Sequence, residues 1–216
     1  MISRRRSIAA LSVLATFVLT LTTSTWAQQS PTKRLVVFGD SLTAGYQLPV
    51  ADAFTSVLQE NLRAKGLRVE VVNASVSGDT ASAGLERFDW SLGSGADAVI
   101  VELGANDMLR GVDVQVTYDA LDRILSRLQE RKIPVLLAGM KAARSVGAEY
   151  RDAFDSLYPK LAEKHAVLLY PFFLEGVAGQ PEFNLRDGIH PNAAGVRRIV
   201  ENISPYVLKL LATPAP

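Results

Sequence analysis

The stretch VVFGDSLTAGY, residues 36–46, is an apolar run that stops at Gly39 and turns at once into an acid, Asp40, and a hydroxyl, Ser41. Two readings compete for it. Gly and Asp end strands and Ser opens helices, so the turn can be simple punctuation. Alternatively, a buried strand delivers Ser41 to the rim of a sheet, where its hydroxyl can do chemistry. The flanking sequence separates the two.

Downstream, ADAFTSVLQENLRAKG sets Ala53, Phe54, Val57, Leu58 and Leu62 on one helical face, and Gly66 stops it. LRVEVVNAS reads as a second strand and TASAGLERFDWSLGSG as a second helix ending in glycines. ADAVIVELG is a third strand, VTYDALDRILSRLQERK a third helix and IPVLLAGM a fourth strand. AEYRDAFDSLYPKLAEKH is helical, with a kink or break expected at Pro159. AVLLYPFF is a fifth strand, and a last helix is expected from about Pro191 to Leu211, interrupted at Pro205. The strands are short and continuously apolar, as strands covered on both faces are. The expected fold is α/β: a three-layer α/β/α, flavodoxin-like, doubly wound five-stranded parallel sheet. Its polar, glycine-rich segments then share one edge, the carboxyl ends of the strands. They are Gly39-Asp40-Ser41, Asn73 to Asp79, Gly104 to Asp107, and Asp187 to His190.

Composition narrows the class. The chain has 216 residues, 48% of them hydrophobic, which suits one domain with a substantial core. A net charge of +1 implies no general attraction to nucleic acid or anionic lipid. The absence of cysteine excludes disulfides, thiolate metal sites and a cysteine nucleophile. The N-terminus has a basic start at Arg4–Arg6, an apolar stretch from Ile8 to about Leu21, and Thr25-Trp26-Ala27 before Gln28. That order describes a secretory signal peptide. A membrane anchor would want about 20 apolar residues, whereas six Ser or Thr fall between residues 16 and 25 here. The expected organisation is a signal peptide over 1–27 and a single domain over 28–216, periplasmic or secreted, with no stable membrane anchor.

A serine hydroxyl needs a neighbouring base, and the chain has only two histidines. His165 closes a helix, a position that suits its charge. His190 follows Asp187 by three residues, close enough in a turn for the acid to accept from one ring nitrogen and leave the other for Ser41. Considered alone, Asp187 reads first as an ordinary turn acid, Gly78 can be a turn glycine and Asn106 a cap for the segment that follows. No Gly-x-Ser-x-Gly elbow is present, which argues against the α/β-hydrolase fold.

Four blocks in register, FGDSLTAGY, NASVSGDT, VELGANDMLRG and DGIHPNAAG, resemble those of the SGNH, or GDSL, hydrolase family. The resemblance covers about Arg34 to Tyr206 and is strongest to bacterial arylesterases and the thioesterase I/lysophospholipase L1 group. It implies a serine esterase with catalytic Ser41, Asp187 and His190, and with Ser41, Gly78 and Asn106 as oxyanion donors. Asp40, Asp107 and Asn73 would support the loops, as would Ser75 and Ser77. Met108, Leu109 and Ile189 would line the substrate pocket, and the family often has Gly where this chain has Ala105 or Met108. Implied substrates are small-molecule esters: aryl or short to medium acyl esters, lysophospholipids or thioesters. The resemblance implies neither metal nor organic cofactor, and no nucleic acid.

Two rival classes use the same rim. One is a metal-dependent phosphoesterase with Asp40, Asn106, Asp107 and His190 as ligands. It leaves Ser41 and Gly78 without a role. The other is a non-catalytic glycan- or lipid-binding module, which has no need of Ser, Asp and His in that arrangement. The leader is testable directly. Expressed with its native N-terminus, the protein should appear in the periplasmic fraction and begin near Gln28 by N-terminal sequencing. Full-length protein in salt-washed membranes would show an anchor instead.

Overall fold

The computed structural model describes residues 32–93 and 95–213. The expected signal peptide over 1–27 lies outside them. Among the described residues, five strands form one sheet: β1 (Lys33–Gly39), β2 (Val69–Asn73), β3 (Ala98–Glu102), β4 (Val135–Ala138) and β5 (Leu168–Tyr170). All pairs are parallel and the order is β2-β1-β3-β4-β5. Residues 35–38 and 98–101 are buried on both faces, which is why these strands read as unbroken apolar runs.

Among the described residues, seven α-helices flank or cap the sheet: α1 (Ser41–Ala44), α2 (Phe54–Ala64), α3 (Ala81–Leu92), α4 (Ala105–Leu109), α5 (Val114–Glu130), α6 (Ala148–His165) and α7 (Ala193–Ala212). Helices α2 and α7 pack together on one face, and α3, α5 and α6 pack in a row on the other. This is the expected three-layer architecture. The segments after β1 and β3, read from sequence as loops, are instead the single-turn helices α1 and α4. Each starts directly from a strand end, so Ser41 and Asn106 are held by helical backbone.

Neither proline interrupts its helix: α6 runs through Pro159 and α7 through Pro205. Both prolines sit on the solvent side. The carbonyls they deprive of a donor, those of Asp155 and Glu201, belong to residues that are not buried and can be hydrated. His165 has the structural place expected of it. Its ring is buried between α5 and α6, 2.7 Å from Asp122 Oδ1 and 3.3 Å from Gln129 Oε1.

Topology puts the carboxyl ends of β1 and β3 side by side, with Gly39 in register with Glu102. Helix α1 leaves on one strand and α4 on the other, at the point where the connections diverge. That is where a doubly wound sheet opens a crevice. A proline inside a helix typically costs about 3 kcal/mol, offset by about 1 kcal/mol of unfolded-state restriction. Pro205→Ala should therefore stabilise the protein by roughly 2 kcal/mol. Urea denaturation of the variant checks it, and an unchanged or lower midpoint would show that the proline is fully accommodated.

Candidate active site

Asp40 is the hinge between β1 and α1. Its Oδ1 accepts from the Leu42 N–H at 3.0 Å, capping the helix that begins with Ser41. Gly45 ends that turn at φ 87°, and the chain then presents Tyr46. Ser41 is 9% exposed, at the floor of an opening.

The loop from β5 to α7 brings the second half of the site. Asn192 accepts from the N–H groups of Ala194 and Gly195 at the start of α7, while its amide donates to the carbonyls of Glu182 and Asn184. One side chain thus caps the helix and pins the loop. The Leu185 N–H donates to the His190 carbonyl at 2.8 Å, closing a tight turn with Gly188 at φ 71°. Within it, Asp187 Oδ1 accepts from the N–H groups of Ile189 and His190. Asp187 Oδ2 lies 2.7 Å from His190 Nδ1, and His190 Nε2 lies 3.0 Å from Ser41 Oγ. The three residues expected to act together form one continuous hydrogen-bonded chain. The Tyr46 ring lies against the imidazole at 4.3 Å between centroids.

Asn106, in α4, comes to the same rim. Its amide donates to Asp40 Oδ2 and to the Asp79 carbonyl, both at 3.0 Å. Both of its N–H groups are thus engaged within the protein. Gly78 sits next to that carbonyl with φ 90°, a conformation suited to glycine, and its own carbonyl accepts from Arg110. The three expected supports behave differently from one another. Asn73 ties the end of β2 to Ala44 and to the Ser75 N–H. Asp40 bridges α1 and α4. Asp107 is fully buried and accepts from the Ala81 N–H and the Thr117 hydroxyl, joining α3 to α5. Its carboxylate is therefore committed to α3 and α5, and no group of three or more His, Asp or Glu among the described residues is spaced to hold a metal ion.

Next to these groups opens a cleft of about 670 Å³. Ser41, Asn106 and His190 belong to its wall, and Leu42, Met108, Leu109, Met140, Phe172 and Ile189 make it largely apolar. The three expected pocket residues are all present. Leu109 and Ile189 are about half exposed, and Met108 is buried.

Several site residues escaped the sequence reading. Arg87 of α3 pairs with Asp79 at 2.5 Å and donates to the carbonyls of Ala74 and Gly39, lacing the ends of β1 and β2 to the Gly78 loop. Glu102, the last residue of β3, is wholly buried beside Asp40 and Thr43. Tyr46 lies inside the first quoted block but carried no assigned contact. The available signals were an acid closing an apolar strand and an arginine one turn from Gly84 and next to Phe88. Neither names its partner.

The acids split by environment. Burial pushes Asp40 up to about 6, against the pull of the Leu42 N–H, the Asn106 amide and His190. For Asp187, slight burial acts upward, but the N–H groups of His190 and Ile189 and the imidazole bring it down to about 2 from 3.8. A depressed carboxyl stabilises the fold above its unfolded value and loses that contribution as pH falls through its folded value. The Asp187 contribution should therefore disappear between pH 3.8 and about 2. Asp187→Asn should flatten the loss of stability over that window, measured by denaturation at stepped pH. Parallel curves for the two proteins would remove Asp187 from the acid response.

Comparison with known proteins places this geometry. The model of the GDSL-like Lipase/Acylhydrolase family matches residues 37–198. The arylesterase of Vibrio mimicus is 38% identical, over 86% of this chain and 93% of its own. The thioesterase 1/protease 1/lysophospholipase L1 of Escherichia coli K12 is 40% identical, over 73% of this chain and 75% of its own. Among solved structures, AlinE4, an SGNH-hydrolase family esterase, is 44% identical with a TM-score of 0.71, covering 85% of this chain and 98% of that one. With the family model spanning most of the sheet and all four rim segments, the protein belongs to the GDSL-like lipase/acylhydrolase family and is an SGNH-type hydrolase of the esterase class.

Proposed function

We propose that the protein is a serine esterase that forms an acyl-enzyme on Ser41. The observation that carries this is the chain from Ser41 Oγ through His190 to Asp187, set in the wall of an apolar cleft. His190 Nε2 takes the Ser41 proton as Oγ attacks the ester carbonyl, then returns it to the leaving oxygen or sulfur. Asp187 holds the Nδ1–H tautomer and stabilises the imidazolium. Water, activated by the same nitrogen, releases the acid.

The developing oxyanion needs donors that are already aimed. The N–H groups of Ser41 and Gly78 and the amide of Asn106 are assigned to it. The amide donates to the Asp79 carbonyl in the resting protein, so one of its hydrogens has to exchange that carbonyl for the oxyanion. The contact to Asp40 keeps the amide in place during the exchange. Because the new bond strengthens only as charge develops, it acts on the transition state rather than on substrate binding.

The cleft supports aryl and short to medium acyl groups. Lysophospholipids and thioesters present the same carbonyl chemistry. A domain over 28–216, exported after loss of 1–27, would meet such esters outside the cytoplasm. A chain-length series of p-nitrophenyl esters, beside a lysophospholipid and a thioester, ranks these substrates.

Ser41→Ala should abolish turnover and fluorophosphonate labelling while leaving the melting temperature nearly unchanged. Labelling that persists would point to another nucleophile. Asn106→Ala should lower kcat by about 10²–10³ with little change in KM. A drop of tenfold or less in kcat with clear loss of melting temperature would instead make Asn106 a loop-ordering residue.

A further inference from the structure

Glu102 is a fully buried acid that the proposed reaction does not use and that lies against groups it does. It closes β3 at zero exposure, directly across from Gly39. A Cβ on Gly39 would stand 2.9 Å from Glu102 Oε2, 2.6 Å from its carbonyl and 2.3 Å from Thr43 Oγ1. The missing side chain at Gly39 is the space the acid occupies. Glu102 Oε2 lies 3.2 Å from the Thr43 hydroxyl. Glu102 Oε1 is buried and meets no N–H or O–H donor among the described residues. What faces this side chain is the Asp40 carboxyl.

Two buried carboxyls in contact cannot both be charged at a tolerable cost. The distribution of donors decides which one keeps the proton. Asp40 accepts from the Leu42 N–H and from the Asn106 amide, both at 3.0 Å. Glu102 takes the Thr43 hydroxyl and the Asp40 N–H, and its Oε1 is left with nothing to accept from. An unpartnered carboxyl oxygen beside a carboxylate is satisfied when it carries a proton and donates it.

We propose that Glu102 is a neutral, proton-bearing positioning residue that donates to Asp40 and so holds the carboxylate that caps Ser41's helix and aims the Asn106 amide. This rests on the esterase reading for its consequence, though not for its protonation state. The other titratable or charged groups around the pair are Tyr158 of α6, Asp107 of α4, Arg87 of α3 and His190. Tyr158 donates to the Leu103 carbonyl and Arg87 to the Gly39 carbonyl, so neither supplies Glu102 with a donor. Burial and the Asp40 charge push Glu102 well above the usual carboxyl range, against the pull of the Asp40 N–H and the Thr43 hydroxyl, which agrees with an Oε1 that has nothing to accept from.

Infrared spectroscopy reads the protonation state without catalysis. At neutral pH the unaltered protein should show the carbonyl stretch of a protonated carboxylic acid. That band should shift on labelling with ¹³C-glutamate and vanish in Glu102→Gln. Kinetics read the positioning. Glu102→Gln keeps a donor for Asp40 and an acceptor for Thr43, so its kcat should stay within about threefold of the parent. Glu102→Met keeps bulk and loses the donor, so kcat should fall about 10- to 100-fold with KM nearly unchanged. A missing glutamate-derived band overturns the proposal, even if no variant folds. So does Gln as damaging as Met, which would mean that an ionised Glu102 is needed, or Met as active as the parent, which would reduce Glu102 to packing. If Ser41→Ala remained active, the esterase reading would fail while the infrared result still stood.

Discussion

Asp40 is a carboxylate with no access to water, and the rest of the site follows from how it is satisfied. One oxygen takes the Leu42 N–H and thereby starts the helix that carries Ser41. The other takes the Asn106 amide and thereby fixes the helix that follows β3. A buried charge stripped of a partner costs on the order of 3–5 kcal/mol, so both helices are tied to the strand ends. Ser41 and the Asn106 amide are held to one geometry by the same acid.

That arrangement requires room where a sheet has none. Gly39 leaves space for Glu102 and Thr43. Gly104, at φ 115°, lets the chain turn from β3 into α4, and a Cβ there would meet the Tyr158 hydroxyl at 2.2 Å. Arg87 closes the third side by holding the carbonyls of Gly39 and Ala74 with the Asp79 carboxylate. Interlocked contacts of this kind rarely act additively. The rim behaves as one unit built on the ends of β1, β2 and β3.

Asp187 lives under the opposite physics. It is a third exposed, on a loop, and three N–H groups stabilise its charge. Asp40 and Glu102 are pushed up by burial while Asp187 is held down by donors. One site therefore contains a carboxyl suited to remain charged beside an imidazole and a carboxyl pair suited to share a proton. Environments that push acids apart in this way are how one fold assigns them different tasks.

Much of this was legible in the chain itself. Apolar runs of strand length, separated by amphipathic stretches, specify a parallel sheet because periodicity and length are one-dimensional properties. The parallel rule then puts Ser41, Gly78, Asn106 and His190 on one edge, and the Asp187 spacing is local enough to read directly. That α6 and α7 continue through Pro159 and Pro205 was not legible, because whether a proline ends a helix depends on whether the carbonyl it orphans can be hydrated, and exposure is set by packing. Glu102 as Asp40's neighbour, Arg87 as the lace and Tyr46 against His190 were not legible at all. Gly39 meets Glu102 only because β1 and β3 pair in that register across 63 residues of chain. Asn106 spends both N–H groups inside the rim only because α4 and the Gly78 loop converge there. The sequence determined which chemical groups reach the edge of the sheet, since that depends on local pattern. The tertiary structure alone decided which of them touch, which are dry and which can hold a charge, since contact and dielectric are properties of packed neighbours.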